Sequence, residues 1–263
     1  MIGASALVRI GVAALELALV PAAAGAGAAR APVALSAVPA RVLLAGTARS
    51  AVRVTNSGTK RVVGDAHRVG FALGVRGRPR IVRGGGARSA VRWLTLRPRH
   101  FALAPHASVS LLVASKLPRR VEPGDHDALV VLSTRPLRNA RVAVRLRLGV
   151  VVVVRAPGRI VRRLELRGLR VAPRGRRRAL DLVVANRGNV TEPLERARIV
   201  ISRLRTGRRF ATVVAASREL RPRTTGIVEF LLRGRPHGWV VARVVIPAAD
   251  GRSALRRTYR LRL

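Results

Sequence analysis

From residue 30 onward the chain is a succession of short apolar or alternating runs, broken every ten residues or so by glycine, proline and asparagine. Val52 and Val54 alternate with Arg53 and Thr55. Val142, Val144, Leu146 and Leu148 alternate with Arg141, Ala143, Arg145 and Arg147. A period of two is the mark of a strand with one face in a core and one in solvent. No stretch of helical periodicity competes with it. The pattern predicts strands at Val33–Val38, Ser50–Thr55, His67–Val75, Ala90–Leu96, Ser108–Ala114, Asp127–Ser133 and Ala140–Val154. A second set follows at Ile160–Val171, Ala179–Ala185, Arg196–Leu204, Phe210–Ala215, Gly226–Leu232, Trp239–Ile246 and Leu255–Leu263. Two sets of short strands with regular turn signals predict an all-β protein of two tandem immunoglobulin-like Greek-key β-sandwiches. Pro157-Gly158 breaks the pattern between them, giving domains at 29–155 and 156–263.

The halves echo each other. Val52-Arg53-Val54-Thr55-Asn56-Ser57-Gly58 parallels Leu182-Val183-Val184-Ala185-Asn186-Arg187-Gly188, each a strand running into Asn-x-Gly, whose residues tolerate turn dihedrals. Leu103-Ala104-Pro105 parallels Leu220-Arg221-Pro222, each ahead of an apolar strand. The first half is longer between these marks, and the glycine- and arginine-rich segment 76–88 accounts for the difference as an exposed, flexible insertion.

Composition adds a strong charge to this picture. Among 263 residues, 52 are Lys or Arg and 12 are Asp or Glu, a net charge of +40, while 49% are hydrophobic, so the charge goes with cores rather than disorder. Nearly all of the positive charge is arginine, whose fork matches phosphate and carboxylate. Coding bias towards arginine and alanine is the competing origin. Cysteine is absent, which excludes disulfides, thiolate metal sites and a cysteine nucleophile.

Residues 1–28 read as an export signal: Arg9, an apolar stretch from Ile10 to Val20, then Ala26-Gly27-Ala28 as a small-x-small cleavage site. An uncleaved N-terminal membrane anchor is the alternative. The expected location is secreted or in the cell envelope, with no transmembrane segment in the mature chain.

Trp93-Leu94-Thr95-Leu96, Pro98, Phe101, Leu103 and Pro105 are followed by Pro118 and Glu122-Pro123-Gly124-Asp125-His126. This passage resembles the bacterial cell-surface proteins that interact with WxL proteins, whose first domain binds peptidoglycan and whose second binds a partner protein. More distantly, the two-sandwich plan is similar to that of the periplasmic pilus chaperones. The resemblance implies fold first, and function only through specific sites.

Candidate sites follow from residue chemistry. Arginines cluster at predicted turns: Arg76, Arg78, Arg80 and Arg83 around the insertion; Arg174, Arg176, Arg177 and Arg178 before Leu180; and Arg203, Arg205, Arg208 and Arg209 around Gly207. These are candidates for binding a polyanion, with a salt-sensitive attraction. Glu122, Asp125, His126 and Asp127 combine carboxylates and an imidazole, able to take a hard metal or a sugar hydroxyl; the competing reading is a Pro-Gly turn. If extended, Asp125 and Asp127 face one side and His126 the other. Asp65 and His67 repeat the idea, and His100 and His106 form no metal triad. Trp93, Leu96, Phe101, Trp239 and Tyr259 read as core packing. Asn189-Val190-Thr191 matches a glycosylation acceptor but reads as a turn. No Gly-x-Ser-x-Gly elbow, His-Glu-x-x-His signature, carboxylate pair or phosphate loop stands out, so no enzyme and no cofactor are expected.

The leading expectation is a non-enzymatic exported envelope protein that binds an anionic wall polymer, peptidoglycan or a surface-protein partner. One alternative is an assembly chaperone or adaptor that accepts a partner strand at a sheet edge, with a basic side chain nearby for the partner's terminal carboxylate. Another is a nucleic-acid-binding protein, disfavoured by 3% aromatic content and the absence of a recognition motif.

Overall fold

The structure, a computed structural model, describes residues 32–82, 84–86, 88–135, 145–216, 218–234, 236–248 and 253–263. The expected leader 1–28, Arg83 and residues 140–144 of one expected strand lie outside the described residues.

The first sandwich faces two sheets across one core. Strands β1 (Leu35–Val38), β3 (Arg49–Asn56), β8 (Ser108–Ser115) and β6 (Leu94–Arg97) form one sheet, in the order β1-β3-β8-β6. The other runs β2 (Arg41–Ala45), β10 (Arg147–Ala156), β9 (Gly124–Thr134), β4 (Val62–Leu73) and β5 (Pro79–Val82), with β7 (His100–Leu103) also pairing β4. Pro39-Ala40 lets the entering chain change sheets, so β1 is antiparallel to β3 whereas β2 is parallel to β10. The alternation at Val52 and Val54 does what it predicts: both valines are buried, with Leu111, Val113, Val130, Leu132, Val152 and Val154 around them. Arg53 points outward.

The second sandwich repeats the scheme. Strands β11 (Leu164–Arg174), β12 (Arg177–Asn186) and β17 (Thr225–Leu231) make one sheet. The other is ordered β15 (Arg209–Val214), β14 (Arg198–Arg203), β18 (Trp239–Pro247), β19 (Ala254–Arg262). A short pair, β13 (Glu192–Pro193) with β16 (Glu219–Leu220), closes one end. Leu180, Leu182, Ile199, Ile201, Val228 and Phe230 centre a separate core.

The echo in the sequence is an echo in structure. Asn56 ends β3 and Asn186 ends β12, and each side-chain amide is buried. Asn56 Nδ2 donates to the carbonyls of Lys60 and Ala104, and its Oδ1 accepts from Gly58 N–H at 3.0 Å. Asn186 Nδ2 donates to Val190 and Leu220, and its Oδ1 accepts from Gly188 N–H at 2.9 Å. Each asparagine therefore ties its own turn to the Pro-containing turn of the other motif. Those turns match too. His106 and Arg223, each following the proline, both take positive φ, 62° and 58°. Proline then a left-handed residue is the backbone of a type II turn, which ordinarily takes glycine at the second position.

Two expectations are corrected. Segment 76–88 is not wholly a flexible insertion: Pro79–Val82 forms β5 and pairs with β4, because Ile81 and Val82 can extend the sheet past the Gly77 turn. Trp239 is not a core residue but is 57% exposed at the start of β18, where its neighbour Val240 takes the inward position. Trp93 and Tyr259 pack on the two cores, beside buried Leu96 and Phe101 in the first.

Candidate functional site

Two features lie beside each other: a seam of ion pairs joining the sandwiches, and a strand edge left partly open.

The seam uses the scarce carboxylates. Asp127 on β9 pairs with Arg221, Asp181 on β12 with Arg76 at 2.6 Å, and Glu219 on β16 with Arg41 at 3.0 Å; each pair crosses from one sandwich to the other. Asp125 is fully buried; its carboxylate accepts from Arg155 Nε at 2.7 Å and from the Thr191 N–H of the second sandwich at 2.8 Å. The backbone joins in, with Asp125 N–H to Asn189 O at 2.8 Å and Ile227 N–H to Val75 O at 2.7 Å. Arg221 also covers the Phe71 ring at 4.6 Å and donates to the Phe71 carbonyl. Gly124, at φ 106°, lets the strands meet, since a Cβ there would lie 2.1 Å from Asn189 O.

This geometry places the polar cluster. Asp125 and Asp127 face the second sandwich, and His126 points the other way, its ring 4.5 Å from that of Trp93 and its Nε2 on the Glu122 carbonyl. Glu122 pairs with Arg88. Among the described residues no group of three or more metal-ligating side chains converges. Asn189 is buried, donating to Pro123 and Arg159 carbonyls, so its side chain is a seam element. Asp65 and His67 lie on one face of β4 with no hydrogen bond between them; Arg135 and His100 hydrogen-bond to Asp65 and hold its pKa at about 2.

The arginine clusters divide. Arg76 and Arg174 converge on Asp181 and Glu229, inside the seam. Arg177 and Arg178 lie in β12 and Arg80 in β5, with Arg78 in the turn ahead of it and Arg176 in the β11–β12 turn. Arg203, Arg205, Arg208 and Arg209 surround the exposed β14–β15 hairpin tip. Sequence spacing offered no hint of the pairing of Arg76 with Asp181, which lie 105 residues apart.

Burial alone would raise the Asp181 carboxyl, but the hydrogen bonds and charges of Arg76 and Arg174 outweigh it and hold the group below its ordinary value. Asp181 is thus still ionised in the folded protein at pH values where the unfolded chain has begun to protonate. Its contribution to stability is complete above the ordinary aspartate pKa of about 4 and is lost as pH falls towards the lower folded value. The stability gap between wild type and Asp181→Asn should therefore be constant from neutral pH to about 5 and narrow below about 4. Denaturant melts across that range check this. A gap that widens on acidification would refute the assignment.

The open edge belongs to β10. Its pairing with β9 runs the full strand, from Arg147 opposite Ser133 to Ala156 opposite Gly124. On the other side β2 covers only Val151 to Arg155. Val151 N–H reaches Ala40 O on that side, so by alternation the N–H and C=O groups of Gly149 and Arg147 face the uncovered side. No strand among the described residues takes them. Arg41 stands where β2 begins, opposite Val151, its side chain 39% exposed.

Comparison with solved structures gives the class 5 fimbriae chaperone CfaA at 11% identity, TM-score 0.50, covering 86% of this chain and 98% of that one. The chain shares the fold of CfaA. The E. coli chaperone DraB (13% identity, TM-score 0.48, covering 88% and 98%) and the Pseudomonas aeruginosa CupB2 chaperone (12%, 0.46, 87% and 100%) were also matched. At such identities the likeness is one of fold. No family model matches the sequence, and no curated protein is similar to it in sequence. Nothing in these comparisons supports the peptidoglycan-binding resemblance. Among the described residues no helix is long and apolar enough to cross a membrane.

Proposed function

We propose that this protein is a non-enzymatic, extracytoplasmic assembly chaperone or adaptor that takes a partner strand on the open edge of β10. The observation that carries this reading is the run Arg147–Val150, paired on one side only, where outward backbone groups are free to add a strand. The leader expected from the sequence and the fold shared with CfaA support the location and the class. A strand lying parallel to β10, as β2 does, would end its chain against Arg41. Its terminal carboxylate would then compete with Glu219 for that guanidinium. Binding of anionic wall polymer draws on the arginines at the hairpin tips, and less on Arg76 and Arg174, which already hold carboxylates.

The test uses synthetic peptides of alternating valine and threonine, with free or amidated C-termini. The free acid should bind about tenfold more tightly than the amide, and Arg41→Ala should abolish that difference. Arg147→Pro removes an outward N–H without touching the β9 ladder, and should weaken both peptides. Equal binding by wild type and Arg147→Pro would sink the edge proposal.

A further inference from the structure

A cavity of about 480 Å³ opens between the β4–β5 turn of the first sandwich and strands β16 and β17 of the second. Four arginines line it: Arg76, Arg78, Arg174 and Arg218. Arg76 and Arg174 are held by Asp181 and Glu229. Arg218 differs. Its Nη2 donates to Val75 O at 2.9 Å, while its Nε is buried with no hydrogen-bond partner. Among the described residues no carboxylate lies within ion-pair distance of it, and burial pushes its pKa down with no acidic neighbour to offset the effect. Its guanidinium is threaded between two glycines, one from each sandwich: a Cβ at Gly77 would lie 2.1 Å from Nη1, and one at Gly226 would lie 2.5 Å from Nη2. Both positions thus leave room for the fork rather than for a side chain of their own. Arg78, at the mouth, is exposed and also lacks a carboxylate partner among the described residues. Glu219, on the wall, is engaged by Arg41.

A half-buried guanidinium without a counter-ion is costly, the more so in a chain of net charge +40. An anion would balance it. A tetrahedral oxyanion has enough lone pairs and charge to serve Arg218 and Arg78 together, and arginine forks suit it. We propose that this cavity binds a phosphoryl group, with Arg218 as its anchor and Arg78 at its mouth. The bound group would touch both sandwiches and so fasten them across the seam. The site adjoins the Arg41–Glu219 pair at the end of the β10 edge but does not depend on the strand-addition reading.

The test is calorimetric titration of the folded protein, at constant ionic strength in chloride, with inorganic phosphate and with glycerol 3-phosphate. One saturable site is expected, weakened at least tenfold by Arg218→Met, a loss of about 1.4 kcal/mol or more. Arg61→Met removes the same charge at the exposed residue before β4, at the opposite end of that strand from the cavity, and should leave binding unchanged. If Arg218→Met does not fold, Arg78→Met, at the exposed mouth, should still weaken binding severalfold. Saturation by both ligands would assign the site to phosphate of any origin. Saturation by the ester alone would assign it to phosphate carried on a larger molecule. Equal weakening by Arg61→Met and Arg218→Met, or no saturation with either ligand, would overturn the proposal and reduce the attraction to net charge.

Discussion

Asp125→Ala should destabilise the folded protein by about 3–5 kcal/mol, the usual cost of breaking a buried ion pair by removing one partner. The carboxylate is fully buried and answers three donors: Nε and Nη2 of Arg155, and the N–H of Thr191. Alanine leaves a part-buried guanidinium without its counter-ion and a buried backbone N–H without an acceptor. Part of the loss falls on the seam, because Thr191 belongs to the second sandwich. Urea denaturation of wild type and variant gives the number, and small-angle scattering reads any loosening between the sandwiches. A loss below about 1 kcal/mol would mean that Asp125 acts like an exposed pair.

Asn186→Ala should cost about 3 kcal/mol, and Asn56→Ala about as much, since each leaves buried carbonyls and an N–H unanswered at about 1 kcal/mol or more apiece. The lost bonds are those to Val190 O, Leu220 O and Gly188 N–H in the second sandwich. For a chain of this size that is a fall in Tm of roughly 6–12 °C. Aspartate at position 186 would keep the acceptor for Gly188 and lose both donated bonds, so it should recover only part of the loss. Thermal melts of the alanine and aspartate variants test this. An Asn186→Ala protein that melts with wild type would remove the shared-turn explanation of the repeat.

These residues show how far local sequence reaches. The alternation at Val52 and Val54 set the face of β3, because a period of two admits one buried side. Asn56 and Asn186 were visible as paired motifs, and their equivalence survives into matching hydrogen bonds and matching left-handed residues two turns away. The opposite orientations of Asp125 and His126 also followed from strand geometry once the segment was extended. What they touch did not follow. Arg76 meets Asp181 and Arg221 meets Asp127 only because two sandwiches are brought together, and nothing in the spacing records that contact. Segment 76–88 looked unstructured because Gly77 and Gly84-Gly85-Gly86 flank Ile81 and Val82, too short a run to stand out alone. It is a strand because β4 offers an edge.

The sequence by itself determined the all-β character, the doubling of the motif, the aliphatic positions of both cores and the large positive charge, since each is written in local periodicity or composition. Only the tertiary structure decided which arginines are neutralised at the seam, which strand edge β2 leaves uncovered, and that Arg218 has no counter-ion among the described residues. Those are outcomes of distance between residues remote in the chain, and pairing, edge exposure and desolvation exist only once the sheets have packed.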